Sequence, residues 1–118
     1  MNEQDKFENL VMLLAEKSYH GEEDDAIDTF ENKISATGCG DAYFGTAQSD
    51  YDRIEVVNPE FMPSWHRAKF YAEYYDGFQA PFTVCEWNDD FNKLELLLKE
   101  SSITLFNMYQ MRLKELDD

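Results

Sequence analysis

The sequence predicts a single α+β domain in which helices pack against a small antiparallel sheet. Three observations favour this class: apolar residues at helical spacing near both ends, alternation of apolar and polar residues between them, and an Asp-Gly pair flanked by aromatic-rich runs. With 118 residues, of which 43% are hydrophobic, the chain can bury one core. We therefore expect one acidic domain over residues 1–118, with three to four strands, two N-terminal helices and a long C-terminal helix.

Two helices are predicted in the first third of the chain. Apolar residues from Phe7 to Leu14 follow i, i+3, i+4, i+7 spacing, which predicts an amphipathic helix from about Glu3 to Ser18. A second helix is predicted after the break at residues 19–21, and its early carboxylates would lie where the helix dipole favours negative charge. Its apolar face would consist of Ala26, Ile27, Phe30 and Ile34.

Two short strands are predicted in the middle of the chain. Glycines between Thr37 and Gly45 break any periodicity, which indicates a loop leading into a strand near Ala42 to Phe44. Charged and β-branched residues alternate from Asp52 to Val57 and predict a second strand. We expect this strand to end at Asn58-Pro59, because proline lacks the N–H that a sheet needs.

The stretch from Trp65 to Tyr75 fits two interpretations. Its apolar spacing fits a helix face, whereas the alternation and the aromatic residues from Lys69 onward fit a strand. The pair Asp76-Gly77 favours the strand, because a type I′ hairpin turn needs positive φ at both central positions. The return strand would run from Phe78 to Trp87, with Pro81 at a sheet edge or a bulge.

The last element predicted is a long C-terminal helix. Asn88-Asp89 is a suitable N-cap, and apolar residues from Phe91 to Leu116 keep helical phase. Ser101-Ser102 could kink or split this helix, since serine side chains compete for backbone hydrogen bonds.

Acidity is the largest departure of this chain from an average composition. There are 25 Asp and Glu against 10 Lys and Arg, giving a formal net charge of -15. Such a charge disfavours direct binding to nucleic acid or to an anionic membrane, and it attracts basic proteins. The acids concentrate in residues 22–31 and 70–92, neither of which contains Lys or Arg. A homodimer is also compatible with the sequence.

We expect these carboxylates, with two tyrosines as apolar anchors, to form a partner-binding surface. The candidate residues are Glu22, Glu23, Asp24, Asp25, Asp28, Glu31, Asp50, Asp52, Glu73, Tyr74, Tyr75, Asp76, Glu86, Asp89 and Asp90.

The preferred hypothesis is an inhibitor that occupies the basic nucleic-acid-binding surface of an enzyme. In size and charge alone the chain resembles the nucleic-acid mimics that phages and mobile elements make against restriction or CRISPR effectors. An immunity protein or antitoxin that neutralises a nuclease toxin would use the same electrostatics. A small scaffold or enzyme whose acidity serves only solubility is the third alternative.

Motifs for catalysis and metal binding are incomplete. Cys39 stands between glycines, but no spacing places His20 or His66 beside it, so a tight glycine loop is preferred to a Cys-His pair. Gly38-x-Gly40 lacks the third glycine of a dinucleotide fingerprint, and Asp50-x-Asp52 lacks the Gly and Glu of a calcium loop. We therefore expect no enzyme activity, no cofactor and no metal ion.

The cysteines and the apolar runs bear on the compartment. Cys39 and Cys85 are too few for a disulfide framework, which predicts reduced thiols. The residues after Met1 lack the pattern of a secretory signal, and no apolar run approaches the ~20 residues of a membrane span. The expected location is the cytoplasm.

Overall fold

The computed structural model describes residues 1–44, 55–62, 66–73 and 79–117. The helices in these ranges are α1 (Glu3–Tyr19), α2 (Asp24–Thr37), α3 (Phe91–Ser101) and α4 (Ile103–Leu116). The strands are β1 (Gly40–Tyr43), β2 (Glu55–Met62), β3 (Arg67–Glu73) and β4 (Gln79–Trp87). All neighbouring strands pair antiparallel, in the order β1-β4-β3-β2. The predicted α+β class is confirmed.

The ends of α1 and α2 follow from local hydrogen bonding. At the start of α1 the Asn2 side chain accepts the backbone N–H of Asp5 at 2.8 Å, which satisfies one of the free donors of the first turn. Helix α2 begins at Asp24 without a side-chain cap and ends at Thr37, and the C-cap residue Gly38 has a φ of 73°. Glycine is favoured there because a left-handed residue commonly terminates a helix. Both predicted N-terminal helices are confirmed.

The core lies between the helices and one face of the sheet. Its largest fully buried side chains are Trp87, Tyr109, Phe7, Phe30, Phe44, Phe91, Leu10, Leu14, Ile34, Leu94, Leu98 and Leu105. They come from all four helices and from β4, together with Phe44, which directly follows β1. Burial of this apolar surface is the main stabilising contribution to the fold. Of the predicted apolar face of α2, Ile27, Phe30 and Ile34 are buried and Ala26 is partly buried.

The C-terminal segment is two helices, not the single long helix predicted. Ser102 separates them with an extended backbone, at φ −161° and ψ 114°. Its hydroxyl accepts the N–H of Leu105 at 3.1 Å, which caps the start of α4, and its own N–H donates to the carbonyl of Leu98 at 2.9 Å. The side chain of Ser102 therefore supports the break, because it replaces a hydrogen bond that a continuous helix would make.

Polar contacts join α4 to the other helices. The Tyr109 hydroxyl donates to Glu95 on α3 at 2.7 Å. Burial and the neighbouring Glu95 carboxylate raise the pKa of Tyr109, so its hydroxyl stays a donor at neutral pH. Arg112 donates to Asn9 at 3.0 Å and to Glu16 at 3.2 Å, both on α1. These contacts help to fix α4 against α1 and α3.

Strand β2 corrects the prediction that a strand ends at Asn58-Pro59. The strand continues to Met62, and its register with β3 shifts between Val57 and Glu60. Asn58 and Pro59 therefore lie at an irregularity of an edge strand, where a residue without an N–H is tolerated. The predicted start of this strand at Asp52 lies outside the described residues.

Strands β3 and β4 confirm the strand interpretation for residues 67–73. The predicted Asp76-Gly77 turn lies outside the described residues. Phe70 pairs with Thr83 whereas Tyr71 pairs with Pro81, so β4 has an irregularity at this point. The irregularity adjoins Pro81, for which a sheet edge or a bulge was predicted. Within the described residues, β1 pairs only with the later part of β4, so Pro81 also lies beyond the end of that pairing.

Candidate partner-binding surface

Helix α2 packs against β1. The Glu31 carboxylate lies near the backbone N–H of Phe44, directly after β1, which lowers its pKa. The Ser35 hydroxyl donates to Asp41 Oδ1 at 3.1 Å, and the backbone N–H of Ala42 donates to the same oxygen at 3.0 Å. The short connection between α2 and β1 makes this arrangement possible, since only two residues, 38 and 39, separate the elements.

Three carboxylates that lie close together here are Asp28, Glu31 and Asp41, which we call the carboxylate trio. Burial raises the pKa of Glu31, and the charges of Asp28 and Asp41 raise it further, against the lowering effect of the Phe44 N–H. Asp28 and Asp41 are exposed and Glu31 is partly buried. Within the described ranges no member of the trio forms an ion pair. The trio therefore consists of three negative charges that repel one another and that no cation of the described residues pairs with.

The pairing of β1 with β4 joins the two acidic segments of the sequence. Asp41 is the cross-strand neighbour of Glu86, so an acid from residues 70–92 lies beside the acids of α2. Arg67 on β3 compensates Glu86, with its Nε atom 3.1 Å from Glu86 Oε1. Sequence reasoning missed Asp41. The signal that could have identified it is its place in a short strand, one residue before the apolar Ala42.

The acids before and at the start of α2 are exposed, as a contact surface requires. Glu22 forms an ion pair with Lys17, with 3.0 Å between Nζ and Oε2. Glu23 precedes the helix with a φ of 59°, and Asp24 and Asp25 are in its first turn. This end of α2 carries solvated charge that can act on a partner at a distance.

Asp89 and Asp90 already have partners within the fold. Asp90 caps α3, since its carboxylate accepts the N–H of Asn92 at 3.0 Å. Its backbone carbonyl accepts Trp87 Nε1–H at 2.9 Å. The backbone N–H of Asp90 lowers the pKa of Asp89, and so does Lys93, whose Nζ atom is 3.2 Å from Asp89 Oδ2. We expect these two acids to contribute less to binding than the trio does.

The remaining predicted contact residues are only partly placed. Asp50, Asp52, Tyr74, Tyr75 and Asp76 lie outside the described residues. The backbone of Glu73 pairs with Glu55 and with Gln79 in the sheet.

An aromatic residue that the sequence reasoning missed is exposed beside the trio. Tyr43 is 59% exposed and follows Asp41 by two residues on β1. The alternation of buried and exposed residues along β1 places both side chains on the face that points away from the core.

The two cysteines and His66 contact other parts of the fold. Cys85 is buried, and burial raises the pKa of its thiol. The backbone carbonyl of Cys39 accepts the N–H of Asn88 at 2.8 Å. The His66 ring packs against Phe7 and Phe91, at centroid distances of 5.5 and 5.4 Å. Among the described residues, no group of three or more His, Cys, Asp or Glu side chains is placed to hold a metal ion.

Two further findings concern membrane-spanning helices and similarity to known proteins. No helix in the described ranges combines the length and the apolar character needed to cross a bilayer. Comparison with protein-family models, curated proteins and solved structures gives no match. The chemistry that the surface itself offers is hydrogen-bond acceptance by carboxylates, which binds Arg and Lys side chains strongly.

Replacing Glu31 with glutamine should raise the free energy of unfolding at pH 7 by roughly 0.5 kcal/mol, the size of one like-charge contact on a helix. Because the pKa of Glu31 is raised on folding, the folded chain binds the proton more tightly than the unfolded chain. The stability that Glu31 contributes therefore falls as pH rises from its unfolded pKa through its folded pKa. Glutamine removes the charge and keeps an oxygen acceptor for the N–H of Phe44.

Urea denaturation at pH 7 and at pH 4 tests this prediction. The gain should be present at pH 7 and should shrink at pH 4, because the raised pKa of Glu31 favours protonation of the folded wild-type protein as pH falls. Glu115→Gln is the matched control, because Glu115 is exposed near the end of α4. A loss of stability at pH 7, or an equal gain at both pH values, would contradict the assignment of Glu31 as a destabilising carboxylate.

Proposed function

We propose that this protein is an acidic inhibitor that occupies the basic nucleic-acid-binding surface of an enzyme in the cytoplasm, with carboxylates in the place of phosphates. The observation that carries the proposal is the carboxylate trio, in which Glu31 is partly buried beside two further carboxylates. A cation that approaches such a group relieves both the repulsion and the unfavourable burial of charge. A basic protein surface supplies cations of this kind.

The spacing of acids on α2 supports the same proposal. Asp24, Asp28 and Glu31 follow i, i+4, i+7 spacing, so they lie along one side of the helix. Neighbours at this spacing have Cβ atoms about 5–6 Å apart, which makes a row of regularly placed negative charges. A nucleic-acid strand also presents a regular row of negative charges, and enzymes that bind it carry Arg and Lys in matching positions.

The net charge of -15 supports fast association with such a partner. A strong field of one sign steers an oppositely charged protein and raises the association rate, with an effect that falls as salt rises. The exposed carboxylates of Glu23, Asp24 and Asp25 extend the field of the trio along the start of α2. We propose that these residues steer the partner toward the protein and that the trio makes the close contacts with it.

Capture of partners from a lysate of the source cells tests the proposal. The immobilised protein should retain a basic nucleic-acid-binding enzyme at low salt, and duplex DNA or structured RNA should displace that enzyme. Capture should weaken at high salt. An enzyme retained equally in the presence of nucleic acid competitor and at high salt would contradict the proposal, as would the absence of any basic enzyme. A captured nuclease toxin would identify an immunity protein.

A pair of triple variants locates the contact. The variant Asp28→Asn, Glu31→Gln, Asp41→Asn removes the charge of the trio and should weaken capture about tenfold or more, as loss of close charge contacts does. The control removes the same charge elsewhere, from three exposed acids on or after α3 and α4: Glu100→Gln, Glu115→Gln and Asp117→Asn. Circular dichroism establishes that both variants fold. Equal losses in the two variants would show that net charge alone acts.

A further inference from the structure

Next to the trio, the outer face of β1 and β4 carries four neighbouring side chains, two exposed and two partly buried, which we call the open sheet face. Its residues are Asp41, Tyr43, Val84 and Glu86. Asp41 lies opposite Glu86 and Tyr43 opposite Val84, whereas the alternating partners Ala42 and Cys85 are buried in the core. Directly opposite residues in an antiparallel pair have Cβ atoms about 4.5–5.5 Å apart. The four side chains therefore form one continuous surface.

Tyr43 is unusual among the exposed side chains of this protein. Among the residues whose side-chain exposure the structure describes, it is the one aromatic in the set of exposed large hydrophobic residues. Its ring is accessible next to acidic groups and beside the partly buried Val84. An accessible aromatic ring two residues from an exposed carboxylate is a favourable contact for a cation, because the ring face and the carboxylate attract it together.

Asp41 is held in one orientation by the fold. Its Oδ1 atom accepts hydrogen bonds from the Ser35 hydroxyl and from the Ala42 N–H, at 3.1 and 3.0 Å. Within the described ranges no hydrogen bond involves Oδ2, which leaves that oxygen as an acceptor for a partner. A carboxylate fixed before binding loses little conformational entropy when the partner arrives.

The open sheet face also differs in charge from the acids of α2. Arg67 pairs with Glu86 and compensates it, and Lys69 on β3 is the cross-strand neighbour of Val84. Of the two carboxylates, Asp41 is the one that forms no ion pair with a described residue. The face thus combines one fixed acceptor, one exposed ring and one apolar neighbour. Arginine suits this combination better than lysine, because a guanidinium group is planar, stacks on aromatic rings and donates several hydrogen bonds in fixed directions.

We propose that the open sheet face binds an arginine side chain of the basic partner, with the guanidinium group stacked on Tyr43 and donating to Asp41. This inference rests on the proposed function, because the net charge of -15 and the neighbouring trio select a basic occupant by charge complementarity. The arginine contact would mainly affect the dissociation rate of the partner, whereas the electrostatic field of the acidic residues would mainly affect its association rate.

Titration with two peptides tests the arginine site. Hexa-arginine and hexa-lysine are added in turn to the full ¹⁵N-labelled chain at the same ionic strength, and binding is followed by NMR. Hexa-arginine should bind about fivefold more tightly, the size expected of one cation–π contact at an exposed site. Its chemical-shift changes should centre on Asp41, Tyr43 and Val84. Shifts confined to Asp24 and Asp25 would overturn the proposal.

Substitutions separate the ring and the carboxylate from the total charge. Tyr43→Leu should abolish the preference for arginine, whereas Tyr43→Phe should keep it because the ring remains. Asp41→Asn should weaken hexa-arginine binding more than Asp25→Asn, which removes the same charge from another exposed aspartate. An unchanged preference in Tyr43→Leu, or equal losses in the two aspartate variants, would overturn the arginine site.

The captured partner distinguishes the two proposals. Its dissociation rate should rise in Tyr43→Leu, while neutralisation of Asp24 and Asp25 should mainly lower its association rate. A partner whose binding depends on the trio and is unchanged by Tyr43→Leu overturns the arginine site and leaves the inhibitor proposal standing. Failure to capture any basic enzyme overturns the inhibitor proposal, and with it the arginine site as part of that function.

Discussion

Replacing Trp87 with alanine should lower the free energy of unfolding by about 4 kcal/mol, as expected for a large aromatic residue removed from a core. Trp87 is 1% exposed and is among the largest buried side chains. Its Nε1–H donates to the carbonyl of Asp90, and its backbone N–H donates to the carbonyl of His66, both at 2.9 Å. Alanine would leave a cavity and a carbonyl without its donor, at the junction of β4 and α3.

Urea denaturation monitored by far-ultraviolet circular dichroism measures this loss. Trp87→Phe keeps an aromatic ring and lacks the Nε1–H donor, so it should cost less than alanine does. Leu96→Ala is the surface control, since Leu96 is 53% exposed, and it should change stability by about 0.5 kcal/mol or less. A loss in Trp87→Ala no larger than that of Leu96→Ala would mean that Trp87 is not part of the core.

Replacing Gly40 with alanine should cost about 3 kcal/mol, at the upper end of overpacking effects. A Cβ atom at this position would clash with the carbonyl oxygen of Glu86 and would lie 2.9 Å from Trp87 Cε3. Gly40 and Trp87 are paired residues of β1 and β4, so the carbonyl cannot move away without disturbing the pairing. The expected result is a fall in the melting temperature of roughly 10 °C.

Gly38→Ala is the matched control for this substitution. A Cβ atom at Gly38 would meet nothing within 4 Å, and the cost there comes only from its φ of 73°. That cost should be about 1 kcal/mol, the usual difference for an alanine in the left-handed region. Equal losses at Gly38 and Gly40 would contradict the close contact between β1 and β4, because a clash at Gly40 should cost more than the φ of Gly38 does.

The helices were the most predictable part of the fold because their signals are local. The spacing from Phe7 to Leu14 defines α1, and the buried face of α2 follows the predicted positions closely. The break at Ser102 was less predictable. A serine in helical phase is compatible with a bent helix and with a cap, and the choice between them depends on how α3 and α4 pack.

The strands show where tertiary context overrides local preference. Asn58-Pro59 reads as a terminator, yet an edge strand with an irregular register accommodates it. The stretch after Trp65 fitted two periods, and only the neighbouring Asp76-Gly77 pair favoured the strand that the structure contains. Proline and glycine residues in the sequence therefore indicated where a strand is irregular better than they indicated where its pairing with a neighbouring strand ends.

The candidate surface was predictable in composition and not in geometry. The concentration of acids in α2 is visible in the sequence, but the proximity of Asp41 to Glu31 requires α2 to pack on β1. Its proximity to Glu86 requires the pairing of β1 with β4. A list of acids also cannot separate solvated carboxylates from those with a structural partner. Asp89 and Asp90 belong to the second group, because one pairs with a lysine and the other caps a helix.

The contact between Glu31 and the N–H of Phe44 also bears on self-association. Strand β1 lies at one end of the sheet, and an unpaired N–H near such an edge is a place where a strand of another molecule can add. The Glu31 carboxylate lies beside this donor. We therefore expect an approaching copy of the chain to meet a like charge there. The residue that we expect to attract a foreign basic surface is thus also expected to disfavour pairing of a second copy along β1.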